Sequence, residues 1–192
     1  MKTHAAKTNA ARILDGLGIA YEIREYEVSL EEFSAVVVAE KIGLPAEQVF
    51  KTLLCVTHHP GDQRSSGTPA SDKEHVFAVV PGDAELDFKK LAAAAGARKA
   101  EMVSLKEVQP LTGYVRGGVT VFGAKKDFPV YVDETVELFD VVSVSAGMRG
   151  VQVVLKPEDY VRAAKAVVAD LTKENTRPMS QDREMGHAAR RP

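Results

Sequence analysis

The segment Gly113-Tyr114-Val115-Arg116-Gly117-Gly118-Val119-Thr120-Val121-Phe122-Gly123-Ala124-Lys125-Lys126 gathers four glycines and then two lysines into one short stretch. Glycine lets backbone approach a partner with no Cβ in the way, and exposed N–H groups beside lysines suit an anion. This is chemistry for a phosphate-bearing ligand. Gly118 and Gly123 have the spacing of the two glycines of a nucleotide-binding P-loop, but that motif continues with Lys and then Ser or Thr at a helix start. Here Ala124, Lys125 and Lys126 run into Asp127-Phe128-Pro129, and Pro129 disfavours helical geometry at Phe128. No helix N-terminus follows to hold a triphosphate.

Lys51 is the sharpest single residue. It interrupts the apolar run Val49-Phe50-Lys51-Thr52-Leu53-Leu54, and a lysine inside a strand must reach an anion, solvent or a pocket, because burying it unpaired is costly. Strand alternation allows it to point to a solvated face. If it faces a cleft, its ammonium can polarise an ester carbonyl or hold a phosphate. Thr52 stands beside it.

The other reactive types form no recognisable machinery. Cys55 followed by His58 and His59 lacks the paired spacing of a zinc site, so no metal is expected. A cysteine inside an apolar strand behaves as a small hydrophobe. There is no G-x-S-x-G elbow, and His75 has no triad partner in sequence. Tyr26 and Phe33, at the end of a strand and the start of a helix, suit either core or ligand contact. Nothing calls for a cofactor.

These residues need a scaffold, and the composition supplies one. A chain of 192 residues that is 45% hydrophobic can bury one core. A net charge of −2 and a pI near 6.2 argue against coating DNA or RNA by bulk electrostatics. They leave room for a local basic patch made of Arg116, Lys125, Lys126 and Arg149. The single cysteine excludes an intrachain disulfide and fits a reducing compartment. With no long apolar run, the expected location is cytoplasmic and off the membrane.

Along the chain, Thr8 or Asn9 can cap a helix with Ala11, Ile13, Leu14 and Leu17 on its buried face, closing at Gly16 or Gly18. A strand is expected over 21–26, a helix over 33–42, and a central strand over 49–57. The polar stretch from His58 to Glu74 reads as a loop joining antiparallel strands, the second running from 75 to 81. Asp87 caps a helix to about Ala95, and Ser104 with Glu107 has capping-box spacing for another. Strands follow at 130–133, 141–145 and 151–155, the last two forming a hairpin. Pro157 opens a terminal helix to about Leu171. The reading is one α+β domain over 1–172 around a mixed sheet, with a flexible polar tail over 173–192.

Four ordered motifs then resemble one family. They are Val-Phe-Lys-Thr-Leu-Leu at 49–54, Leu-Asp-Phe-Lys-Lys-Leu at 86–91, the glycine loop at 113–126 and Val-Ser-Ala-Gly-Met-Arg-Gly at 144–150. Together they resemble the YbaK/EbsC family, free-standing relatives of the editing domain inserted in bacterial prolyl-tRNA synthetases, over about residues 8–172. The resemblance implies a barrel-like, mostly antiparallel mixed sheet flanked by helices. It implies hydrolysis of mischarged aminoacyl-tRNA, typically Cys-tRNA(Pro), by attack of the substrate thiol on its own ester. Lys51 would be the catalytic group; Tyr26, Phe33, Thr52, Gly117 and Gly118 would bind substrate. Arg116, Lys125, Lys126 and Arg149 would contact the acceptor end of the tRNA, with prolyl-tRNA synthetase as a candidate partner.

Two departures stand out: Thr120-Val121 replaces the Ser-Pro of the family's glycine loop, and Met148 replaces a cation before Arg149. Loss of the stiffening proline bears on the shape of the pocket. Other readings stay open: an Ala-tRNA(Pro) deacylase using activated water, a non-catalytic module binding tRNA or a synthetase, or a small-molecule binder.

Overall fold

Thr8 Oγ1 accepts the Ala11 N–H at 3.2 Å and starts helix α1 (Asn9–Gly16), whose Ala10 and Leu14 are fully buried. The structure, a computed structural model, describes residues 7–28, 34–60 and 72–174. Leu17, expected on the buried face of α1, is 54% exposed, because the helix has ended and the chain turns through Gly18 with φ +66°. Strand β1 (Tyr21–Glu25) follows. Helix α2 (Ala35–Ile42) survives its β-branched run because both ends are capped: Ser34 Oγ accepts the Val37 N–H, and Gly43 takes φ +71°.

Strands β2 (Phe50–His58) and β3 (Lys73–Pro81) pair antiparallel with Lys51 opposite Val80. The middle of the connection expected between them, residues 61–71, lies outside the described residues. Asp87 Oδ1 accepts the N–H groups of Lys89 and Lys90 and starts α3 (Phe88–Ala94). Strand β4 (Lys99–Met102) was not legible from its polar composition; it forms by pairing along the end of β2, Cys55 opposite Met102. Helix α4 (Leu105–Thr112) begins after Ser104, whose hydroxyl donates to Glu107 Oε2 at 2.6 Å instead of capping a backbone N–H.

The strands β5 (Val130–Asp133), β6 (Val142–Met148) and β7 (Val151–Leu155) stand where expected, β6 and β7 as a hairpin. The terminal helix α5 (Pro157–Ala164) is shorter than the reading to Leu171. Lys165 adopts a left-handed conformation with φ 50°, and the β-branched pair Val167-Val168 then joins β5 in parallel as β8 (Val167–Ala169).

Mixed α+β architecture holds, with most strand pairs antiparallel. The strands fall into two sheets, ordered β1-β7-β6 and β4-β2-β3-β5-β8, that meet at a bridge between Val49 and Ser143 and do not close into a barrel. One face of β2 and β3, carrying Phe50, Leu54, Phe77 and Val79, packs with Val142, Val144 and Val153 of the smaller sheet and with Leu14 and Tyr160. The other face, carrying Cys55, Val76, Ala78 and Val80, packs on Leu91 and Leu171. Each such aliphatic side chain contributes about 1.5–3 kcal/mol on burial. Strand β3 is thus covered on both sides and forms a rigid base for the residue opposite its end, Lys51.

Candidate functional site

Lys51 is the second residue of β2, on the same face as Leu53 and Cys55, and lies where β2 leaves the bridge to the smaller sheet. Its side chain reaches the turn after β3 and donates from Nζ to the carbonyl oxygens of Gly82 at 3.1 Å and Ala84 at 2.6 Å. The turn is closed by the Ala84 N–H donating to the Pro81 carbonyl at 3.2 Å. An ammonium has three donors, so these two bonds leave one for a ligand. Half-burial holds the Lys51 pKa below the usual lysine range, against the opposing pull of Asp83 and Glu85.

The glycine loop is built by a tight turn over 115–118, in which the Gly118 N–H donates to the Val115 carbonyl at 2.9 Å and Gly117 takes φ +84°. A Cβ on Gly118 would lie 3.3 Å from the Arg149 backbone nitrogen, so the loop rests directly on the β6–β7 hairpin. Arg149 Nε donates to the Arg116 carbonyl at 2.7 Å and ties the two turns together. From below, the buried Tyr114 hydroxyl sits 2.7 Å from the Phe122 carbonyl oxygen and 3.1 Å from that of Gly123. Thr120, in place of the expected serine, is buried, and its methyl would stand 3.3 Å from a Cβ on Gly147.

Between these two constructions lies a pocket of about 580 Å³, lined by Tyr26, Lys51, Thr52, Arg116, Gly117 and Arg149 among others. Its apolar wall comes from Val38 of α2, Val49, and Val103, Leu105 and Val108 around the start of α4. The loop and the lysine, far apart in sequence, therefore share one cavity. Gly118 lies beneath the loop and does not line it, and its N–H is already engaged. Lys125 and Lys126 do not line it either; Lys125 Nζ donates to the Pro110 carbonyl at 3.4 Å. Phe33 lies outside the described residues.

Cys55 is a fully buried hydrophobe whose thiol is pushed up to about 12 by burial. His58 pairs with Glu101 at 2.9 Å, and His59 stands 3.1 Å from Thr57 Oγ1. Among the described residues no group of three or more His, Cys, Asp or Glu could hold a metal ion. Sequence reasoning missed Ser34, Ser145 and Gln152, which also line the pocket. Gln152 carried a usable signal, since it interrupts the apolar strand β7 as Lys51 interrupts β2; the two serines carried none.

The described lining holds cations, hydroxyls and backbone but no His, Cys, Asp or Glu. Such a site can orient an electrophile and stabilise negative charge developing on it.

Comparison with known proteins gives a consistent picture. A family model described as an aminoacyl-tRNA editing domain matches residues 31–163. A proposed Cys-tRNA(Pro)/Cys-tRNA(Cys) deacylase of Enterococcus faecalis, EbsC, is 39% identical over 166 residues, covering 86% of this chain and 93% of the relative. The Escherichia coli multifunctional Ser/Thr-tRNA deacylase ProXp-y is 34% identical over 93 residues, 48% of this chain and 56% of its own length. A crystal structure of a proposed trans-editing enzyme for prolyl-tRNA synthetase shares the fold with a TM-score of 0.69 at 24% identity, over 88% of this chain and 99% of that one. No helix among the described residues is long and apolar enough to cross a membrane.

Proposed function

The chain belongs to the aminoacyl-tRNA editing domain family, in its YbaK/EbsC branch, and from this membership we propose that it removes cysteine from mischarged Cys-tRNA(Pro) with the substrate's own thiol as nucleophile. The observation that carries the mechanism is the described pocket lining, which provides Lys51, Thr52 and two arginines but no histidine, carboxylate or thiol. A substrate that brings its own nucleophile needs only to be held and polarised.

In this mechanism the cysteine sulfur attacks the ester carbonyl. A C–S bond forms, the C–O bond to the terminal ribose breaks, and the ribose oxygen leaves with the proton that the thiol gave up. Water then opens the cyclic thioester to free cysteine. The Lys51 ammonium, fixed by the Gly82 and Ala84 carbonyls, donates its remaining N–H to the developing oxyanion. A preorganised donor of this kind contributes about 2.7–4 kcal/mol to a barrier. Gly117 lets backbone approach the ribose. Arg116 and Arg149 at the pocket, with Lys125 and Lys126 further out, take the phosphates of the acceptor end, and prolyl-tRNA synthetase is the candidate source of the mischarged tRNA. Similarity to EbsC supports cysteine as the amino acid.

The test is release of labelled amino acid from Cys-tRNA(Pro) and Ala-tRNA(Pro), with wild type and Lys51→Ala side by side. Cysteine release that drops on the order of 10²-fold or more in Lys51→Ala, while alanine stays attached, is the expected result. Alanine release at a comparable rate would require an activated water and sink the thiol mechanism. Binding without release would make the chain a module that recognises tRNA and leaves the ester intact.

A further inference from the structure

The turn that grips Lys51 is itself gripped from behind. Leu171 is fully buried; its N–H donates to Asp133 Oδ2 at 3.0 Å, and its carbonyl accepts the Asp87 N–H at 2.7 Å. Thr172 bridges antiparallel to Leu86, and the Lys173 N–H donates to the Glu85 carbonyl at 2.9 Å. Lys90 Nζ reaches Asp170 and the Thr172 carbonyl, both at 2.7 Å, and Lys173 pairs with Glu85 at 2.7 Å. Glu85 directly follows Ala84, whose carbonyl takes the shorter bond from Lys51.

We propose that residues 170–173 form a positioning strap that fixes the carbonyls of Gly82 and Ala84, and through them the place of the Lys51 ammonium in the pocket. The inference rests on the reading of Lys51 as the group that polarises the ester. Its physical basis is the difference between directional and non-directional holds. The ion pairs are exposed and worth little individually. The backbone bonds to Glu85 and Asp87, by contrast, set the height and angle of the turn, and a displacement of about 1 Å at a catalytic group costs up to about 10²-fold in rate. Asp133, 1% exposed, is the fixed end of the strap: Oδ1 accepts from Thr135, and Oδ2 accepts the Leu171 N–H. Asp133 and Lys173 are then positioning residues, neither of them lining the pocket.

The experiment compares Lys173→Pro, which removes the N–H that reaches Glu85, with Lys173→Ala, which removes the ion pair and keeps the N–H. Asp133→Asn serves as a second route to the same release. Each full-length variant is checked for folding by circular dichroism, then read by single-turnover deacylation of Cys-tRNA(Pro) and by NMR titration of the Lys51 side chain. The expected result is Lys173→Ala within about twofold of wild type, and Lys173→Pro and Asp133→Asn slower by about tenfold or more with substrate affinity unchanged. The Lys51 signal shifts in the two slow variants and titrates nearer the ordinary lysine range. A fall in folded fraction alone would leave that signal unmoved. Folded Lys173→Pro and Asp133→Asn proteins with wild-type rates and a wild-type Lys51 signal overturn the strap. If Lys51→Ala itself deacylates normally, the reading of Lys51 fails instead, and the NMR signal still decides whether the strap holds the lysine.

Discussion

Gly82 passes so close to Ala35 that a Cβ on the glycine would stand 2.7 Å from the alanine Cβ and 2.9 Å from the Val49 carbonyl oxygen. The turn that binds Lys51 is therefore packed against the first residue of α2, and α2 forms one wall of the pocket. Gly82→Ala has to push the helix or the turn outward. The expected cost is about 1–3 kcal/mol in urea denaturation, with a loss of deacylation at temperatures where the variant remains folded. Wild-type stability would mean the contact relaxes freely.

The two buried tyrosines predict opposite outcomes for the same substitution. Tyr114 braces the glycine loop through the Phe122 and Gly123 carbonyls, so Tyr114→Phe strands two acceptors and is expected to lose about 1–2 kcal/mol. Tyr160 is fully buried against Phe122, and its hydroxyl finds no hydrogen-bond partner among the described residues. Tyr160→Phe is expected to be neutral or to gain up to about 1 kcal/mol. Thermal melts of the pair check both, and equal losses would contradict the assignment.

Lys51 links pH to stability with a definite sign. Its pKa in the folded chain lies below the ordinary 10.5, so between the two values the unfolded chain binds more protons and stability rises with pH. Relative to Lys51→Met, which does not titrate, the wild type should gain stability as pH climbs through that window and stay level below it. Urea midpoints of both proteins across the alkaline range measure this, and a gap that widens against the wild type would reverse the assigned burial effect.

Cys55 should be chemically silent. With its thiol pushed up to about 12 and its side chain buried, iodoacetamide at neutral pH should label it only after denaturant is added. Deacylation should survive the same treatment, since the proposed nucleophile comes with the substrate. Rapid labelling of the native protein with loss of activity would bring Cys55 into the mechanism.

The legible parts of this protein are those where local chemistry and tertiary packing agree. Lys51 could be found because a charge inside Val-Phe-Lys-Thr-Leu-Leu has few acceptable surroundings, and the glycine loop because Gly117 needs a positive φ that other residues resist. Strands β4 and β8 were missed for the converse reason: each is three or four residues long and exists only because a longer strand offers it an edge. The helix expected to reach Leu171 overruns α5 for the same reason, since Val167 and Val168 find a pairing partner in β5. The family resemblance places both Gly117 and Gly118 at the ligand, yet in the structure Gly117 lines the pocket and Gly118 does not. No local rule distinguishes two adjacent glycines that do different jobs.

The parallel pairing of β8 on β5 carries a consequence for biosynthesis. Lys51, the glycine loop and both arginines are all translated before residues 167–169 appear. Without residues 167–171 one side of β5 is an open edge and the core lacks Leu171, a state that invites pairing with other chains. A chain terminated early, within α5, thus carries every described pocket residue with its larger sheet unfinished, so truncation there opens an edge without removing any of the described lining.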